Sequence, residues 1–294
     1  MHLKRASLFR PALIVPLLLV LIQGSLAQQA TQQTSPANGV AFKIESRLMG
    51  RAMPYRVVLP SAYAGEKDTR FPVIYLLHGL TGHFDNWTDK TKLIEYAARH
   101  NYIIVTPEGN DGWYADSPSI PADKYESYIV KELVPEIDKK FRTVAARGHR
   151  AIAGLSMGGY GSIKFGLKYP EMFSLVGSFS GALGAASFNE KNAGRIGKSV
   201  DAVYGSTDSE SRKANDIFGL VRGLTPEKIT ALPFIYLDCG TEDFFFQNNR
   251  DFVGLLIEKK VPHEYRELPG KHDWVFWDSQ VREFLQVADR RLEK

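Results

Sequence analysis

The sequence predicts a single α/β domain, a mostly parallel central sheet with helices on both faces, and three observations predict it. Continuous apolar runs occur at Val73 to Leu77, Tyr102 to Val105, Ala151 to Leu155, Leu175 to Phe179 and Phe234 to Leu237. They lack the polar alternation of a strand with one wet face, so they read as strands buried on both sides. Helix-like segments alternate with them at Lys90 to His100, Tyr125 to Phe141, Met157 to Lys168 and Phe246 to Lys260, the pattern of strands joined by covering helices. Finally, 44% of the 294 residues are hydrophobic, enough for a substantial core.

The chain begins with His2, Lys4, Arg5 and Arg10, then an apolar stretch from Pro11 to Ile22, then Ser25-Leu26-Ala27. A basic start, a short apolar run and small residues two apart are the marks of a secretory signal peptide. The apolar run falls well short of the roughly 18 to 20 residues that span a bilayer. Cleavage after Ala27 is therefore expected, with export to the periplasm or beyond and no stable membrane anchor. Loss of residues 1–27, which carry three basic and no acidic side chains, lowers the formal net charge from +4 to +1. Charge thus gives no support to a nucleic-acid or anionic-membrane partner. The only cysteine is Cys239, so an internal disulfide is excluded, and its place after the apolar run Phe234 to Leu237 marks it as an inert buried thiol.

Residues 28–39 are polar and aperiodic and read as a flexible lead-in to a domain over residues 40–294. Ala41 to Met49 and Tyr55 to Leu59 read as an antiparallel pair across a Gly50 to Pro54 turn. About 182–230 is rich in Gly, Ser, Asn and charge and reads as an insertion between strands, over a pocket or as a plain surface excursion. A strand from His263 to Leu268 and a helix over about Asp278 to Leu292 close the chain.

The segment "AIAGLSMGGYG", Ala151 to Gly161, sets one serine among four glycines between an apolar run and a helical stretch. Gly154-Leu155-Ser156-Met157-Gly158 fits G-x-S-x-G, a tight strand-to-helix turn that holds a hydroxyl out at the edge of a sheet. Larger side chains two residues either side would strike the neighbouring strand and helix. The competing reading is that Ser156 merely caps the helix.

A serine hydroxyl needs a base to take its proton and a carboxylate to orient that base. Of the seven histidines only His263 and His272 follow the serine. His263 opens a strand and reads as structural, whereas His272 sits in the loop after the last strand, where it can reach the serine. For the acid, Asp238 lies at the end of a strand, Asp243 in the "GTED" loop beyond it and Glu242 beside it. Asp243 is preferred, because loops past the C-terminal ends of such strands carry the chemistry. The oxyanion donors expected are the backbone amides of Met157, after the nucleophile, and Leu80, in "HGLTG" after the first parallel strand. In this account His78 itself does no chemistry.

With these residues in place the chain resembles the esterase D family of α/β-hydrolases, which includes feruloyl and acetyl-xylan esterases, S-formylglutathione hydrolase, enterobactin esterases and mycolyltransferases. The resemblance covers about Ala41 to the C-terminus. It rests on "YLLHGLTG" (75–82), "TPEGNDGWYADSP" (106–118), "YESYIVKELVPEID" (125–138), "AIAGLSMGGYGSIKFGLKYPEMF" (151–173), "LDCGTEDFF" (237–245) and "GKHDWVFW" (271–277). It implies an α/β-hydrolase fold, the triad Ser156, Asp243 and His272, and acyl-ester hydrolysis with no metal or organic cofactor. The signal peptide favours an exported esterase of polysaccharide, lipid or siderophore over the cytosolic thioester role. Trp113, Tyr114 and Trp274 are candidates to line a substrate pocket for a small or polysaccharide-linked ester, with core packing the competing reading. An acyltransferase using the same acyl-enzyme and a binding module without catalysis are the alternatives. Asn86-Trp87-Thr88 matches an N-glycosylation sequon.

Overall fold

Strands buried on both faces need helices on both faces, and the chain supplies them. The computed structural model describes residues 39–293; the expected signal peptide and the lead-in up to residue 38 lie outside the described residues. Eight strands form one sheet: β1 (Val40–Ser46), β2 (Arg51–Val58), β3 (Val73–Leu77), β4 (Ile103–Pro107), β5 (Arg150–Leu155), β6 (Leu175–Phe179), β7 (Phe234–Gly240) and β8 (His263–Leu268). Their order is β1-β2-β4-β3-β5-β6-β7-β8. The β1/β2 and β2/β4 pairs are antiparallel, and the remaining pairs are parallel. Every residue of β3, β4, β5 and β6 is buried.

The helices are α1 (Asn86–Asp89), α2 (Leu93–Ala97), α3 (Tyr125–Tyr128), α4 (Val134–Lys140), α5 (Met157–Lys168), α6 (Glu190–Tyr204), α7 (Glu210–Ala214), α8 (Ile217–Arg222), α9 (Pro226–Ala231), α10 (Phe246–Glu258) and α11 (Trp274–Arg291). Alternate residues of β3 divide between two cores, as the pleat requires. Val73, Tyr75 and Leu77 pack with Ile137 of α4, Ile163 of α5 and Phe252 of α10. Ile74 and Leu76 pack on the other face with Leu93 of α2 and Val281 and Phe284 of α11.

Local structure departs from the sequence-based expectation where distant side chains intervene. The first hairpin turns at Arg47 to Gly50, with Gly50 at φ 61°, and β2 already runs through Pro54. Glu132 captures that turn, accepting from the Arg47 and Leu48 amides at 3.0 and 3.2 Å. Pro54 is tolerated because the β2/β4 ladder begins one residue later, at Tyr55 opposite Pro107. The long helix expected from Tyr125 is interrupted by a π-turn over Ile129–Leu133, where Val134 N–H donates to the Ile129 carbonyl. Pro135 lacks the N–H and crowds the carbonyl four residues earlier, which a widened turn relieves. Of the helix expected over Lys90 to His100 only α2 forms; α1 ends just before that range, and Asp278 of α11 accepts from the Lys92 amide between the two at 2.6 Å. α11 starts four residues earlier than the periodicity indicates, because Asp273 caps it by accepting from Phe276 N–H. Residues 180–233 join the neighbouring parallel strands β6 and β7 through α6 to α9, a more helical connection than the composition suggests.

Candidate active site

β5 ends against α5 at Ser156, whose backbone is held at φ 53°, ψ −116°. A non-glycine residue adopts this conformation only when its surroundings impose it. The surroundings are two close approaches that only glycine permits. A Cβ on Gly154 would lie 2.6 Å from the Gly158 carbonyl carbon, and one on Gly158 would lie 2.5 Å from the Leu77 carbonyl oxygen and 2.6 Å from that of His78. Ser156 N–H donates to Phe179 O, and its carbonyl accepts from Ala182 N–H, each at 3.0 Å. The side chain makes no capping bond to α5; its hydroxyl faces His272 Nε2 at 3.0 Å.

His272 and Asp243 lie on two loops that extend the β7/β8 pairing beyond the sheet. Thr241 N–H donates to Leu268 O at 2.8 Å and Glu242 N–H to Gly270 O at 2.9 Å. A Cβ on Gly240 would fall 2.3 Å from that Gly270 oxygen, and Gly270 itself sits at φ 155°. The close approach brings His272 Nδ1 to 2.8 Å from Asp243 Oδ2. Asp243 Oδ1 accepts from Phe245 N–H at 2.7 Å, so both carboxylate oxygens are engaged. With Nδ1–H donating to the carboxylate, Nε2 is left to accept from the serine hydroxyl. Three aromatic rings enclose the imidazole: Phe244, Trp277 and Phe245, with centroids at 4.3, 4.8 and 5.3 Å.

The alternatives weighed from sequence fall elsewhere. Asp238 is fully enclosed in β7 with both carboxyl oxygens unpartnered. Burial, against the weaker pull of Tyr236 and Arg266, pushes its pKa well above the usual carboxylate range. Burial thus disfavours the charged form, which makes Asp238 a poor charged partner for a histidine. Glu242 is exposed and pairs with Lys271 at 3.6 Å. His263 donates through Nδ1 to Val261 O at 2.7 Å. Cys239 is buried and free, and desolvation raises its thiol far above the ordinary value.

Ser156 and His272 open into a cavity of about 390 Å³. Its lining includes Gly79, Leu80 and Thr81 of the loop after β3, the apolar side chains of Trp113, Ile196, Phe244, Trp274 and Trp277, and the polar Asn86, Lys90 and Asp273. Leu80 therefore borders the same space as the serine. Met157 is the first residue of α5, where an amide has no carbonyl a turn earlier to receive it. Trp113 reaches the cavity and donates its indole N–H to Ser199 Oγ at 3.0 Å. Tyr114 does not border the cavity: it is fully buried, and its hydroxyl donates to the His78 carbonyl at 2.9 Å beneath the loop. Asn86 is nearly buried, its amide nitrogen donating to Asp85 at 3.1 Å and its oxygen accepting from His83 N–H at 3.2 Å.

One group escaped the sequence reading. Glu108, just past β4, is buried and accepts from the Asn110 and Gly109 amides at 2.7 and 3.0 Å, with the His78 and His83 rings each at 3.2 Å. Burial would raise its pKa, but the His78 ring and the Asn110 and Phe84 amides outweigh burial and hold it at about 2. The available signal was positional: His78 and Glu108 both lie one residue past the ends of the neighbouring strands β3 and β4.

Comparison with known proteins agrees with this architecture. The pattern of the Esterase family matches residues 46–286. The acetyl esterase of Caldicellulosiruptor saccharolyticus is 31% identical over 213 residues, which are 71% of this chain and 79% of that protein. A ferulic acid esterase structure superposes with a TM-score of 0.77 at 29% identity, covering 86% of this chain and 98% of that one. The Staphylococcus aureus fluorophosphonate-binding serine hydrolase FphF superposes with a TM-score of 0.72 at 26% identity, covering 85% and 97%. A match that runs from the end of β1 into α11 takes in nearly every element of the sheet and its covering helices. The protein belongs to the Esterase family and is a carboxylic ester hydrolase of the α/β-hydrolase fold.

Proposed function

We propose that the protein is an exported serine esterase in which Ser156 attacks the ester carbonyl, His272 takes its proton, and Asp243 orients the imidazole and stabilises its charged form. The amides of Met157 and Leu80 hold the negative oxygen of the tetrahedral intermediate. The alcohol leaves with the proton from His272, and water activated by the same ring then releases the acid from the acyl-enzyme. The observation that carries this reading is the unbroken line of hydrogen bonds from Asp243 through His272 to a serine hydroxyl at the cavity wall.

The substrate we infer is an acetyl or hydroxycinnamoyl ester, carried on a small alcohol or a polysaccharide. The aromatic lining from Trp113, Phe244 and Trp274 suits a flat or small acyl group, and relatives bear the names acetyl esterase and ferulic acid esterase. Export rests on the basic and apolar pattern of residues 1–27.

Intact mass after exposure to a fluorophosphonate tests the serine. Wild type should gain one adduct and Ser156→Ala none; an adduct retained by the variant would sink the assignment. Rates on acetyl, butyryl and feruloyl esters rank the acyl groups, with a clear preference for butyryl contradicting the substrate class. The N-terminus of protein recovered outside the cytoplasm should be Gln28.

A further inference from the structure

We propose that His78 is a positioning residue that aims the Leu80 amide at the oxyanion, an inference that rests on the reading of Leu80 as an oxyanion donor. The Leu80 N–H belongs to the same planar peptide unit as the Gly79 carbonyl, and no cis peptide occurs among the described residues. In a trans unit the N–H points opposite to the C=O, so whatever holds the Gly79 oxygen also sets the direction of the Leu80 hydrogen. Two donors hold it: Gly82 N–H at 3.0 Å and His78 Nδ1 at 2.8 Å.

The turn alone is a poor anchor, because its third residue, Thr81, sits at φ 61°. A β-branched side chain disfavours that conformation. The imidazole supplies the second restraint, and it is itself fixed. His78 is 1% exposed. Gly109 N–H lies 2.9 Å from Nε2, and Glu108 Oε1, also bound by Gly109 and Asn110, lies 3.2 Å from it. The His78 carbonyl is held from below by the Tyr114 hydroxyl. Only a donor satisfies a carbonyl, so Nδ1 keeps its proton whether Nε2 accepts from Gly109 or donates to Glu108. The chain of restraint thus runs from β4 through a buried ring to one peptide plane at the cavity wall.

The test compares His78→Leu, His78→Asn and His78→Gln, with kcat and KM for p-nitrophenyl acetate expressed per site titrated by a fluorophosphonate. The asparagine amide nitrogen falls near the place of Nδ1, leucine has the same bulk without it, and glutamine carries the amide one bond too far. Expected are a kcat lower by about 10²-fold in His78→Leu and His78→Gln with KM within about threefold, and recovery in His78→Asn to within about fivefold of wild type. If His78→Leu does not fold, the Asn and Gln pair, equal in polarity, carries the comparison. Equal kcat per titrated site in Asn and Gln, or a Leu variant within about threefold of wild type, would overturn the proposal. Failure of the serine assignment reads out separately, as activity retained by Ser156→Ala.

Discussion

Replacing Gly158 by alanine sets one methyl group against the backbone that separates Ser156 from the Gly79–Gly82 loop. That carbon would lie 2.5 Å from Leu77 O and 2.6 Å from His78 O, where ordinary contact begins at 3.4 Å, so relief requires a displacement of about 0.9 Å. Neither oxygen retreats easily. Leu77 ends a fully buried strand, pairs with Gly154, and accepts from the Trp87 indole N–H at 3.1 Å. The movement therefore falls on the first turn of α5 and on Ser156. A misplacement of about 1 Å lowers turnover by about 10²-fold. Overpacking of this kind destabilises by about 1–3 kcal/mol. For a domain of this size that lowers the unfolding midpoint by about 2–12 °C. Gly254→Ala is the control: it lies exposed in α10 with nothing within 4 Å of its new carbon. Loss of glycine's backbone freedom there stabilises by about 0.5–1 kcal/mol. Initial rates with p-nitrophenyl acetate and thermal unfolding of the two variants decide the matter. A Gly158→Ala enzyme with kcat within about threefold of wild type would refute the steric argument.

Asp243→Asn should lower kcat by about 10⁴-fold through loss of the carboxyl oxygen that His272 Nδ1 meets, whereas Asp238→Asn should stay within about threefold, since that carboxyl is sealed within β7, where burial disfavours its charge. Reversal of the two effects would move the acid to β7. Lys164 is completely buried, 3.1 Å from Glu126. Burial alone would raise the Glu126 pKa, but Lys164 and Lys168 hold it at about 2. Because this folded value lies below the unfolded one, its contribution is complete above about pH 4.5 and is lost as pH falls toward 2, a drop of about 3 kcal/mol. Glu126→Gln strands the buried ammonium and should cost about 3–5 kcal/mol at pH 7 in urea unfolding while flattening that acid limb; a variant of wild-type stability would contradict the pairing. Trp274 forms part of the cavity wall, its ring 5.6 Å from that of Trp87 and 5.2 Å from that of Trp277. Trp274→Ala should raise KM for a feruloyl ester more than for an acetyl ester, and an equal change in both would remove Trp274 from acyl recognition.

The sequence by itself determined the parallel sheet and the serine turn, because both are written within a few neighbouring residues. Apolar runs without alternation state that both faces of a strand are covered, and glycines two residues either side of Ser156 state that two backbones pass within contact of it. Chain order after the serine then left two histidines, and the end of the strand after Phe234 with its loop offered Asp238, Glu242 and Asp243 as acids. Tertiary structure decided among them. Asp238 and Asp243 stand five positions apart in similar company, yet one is sealed in a strand while the other meets His272 across the Gly240 and Gly270 approach. Trp113 and Tyr114 are adjacent, both at positive φ, and one borders the cavity while the other supports the loop from beneath. The turn captured by Glu132 and the restraint that Glu108 and Gly109 place on His78 were likewise invisible, since the partners lie 84 to 86 and 30 to 31 positions apart. Periodicity and steric rules act over one turn of helix or a few residues of strand. Which side chains share a hydrogen bond across 116 positions, as Ser156 and His272 do, depends on how the sheet brings its C-terminal edges together.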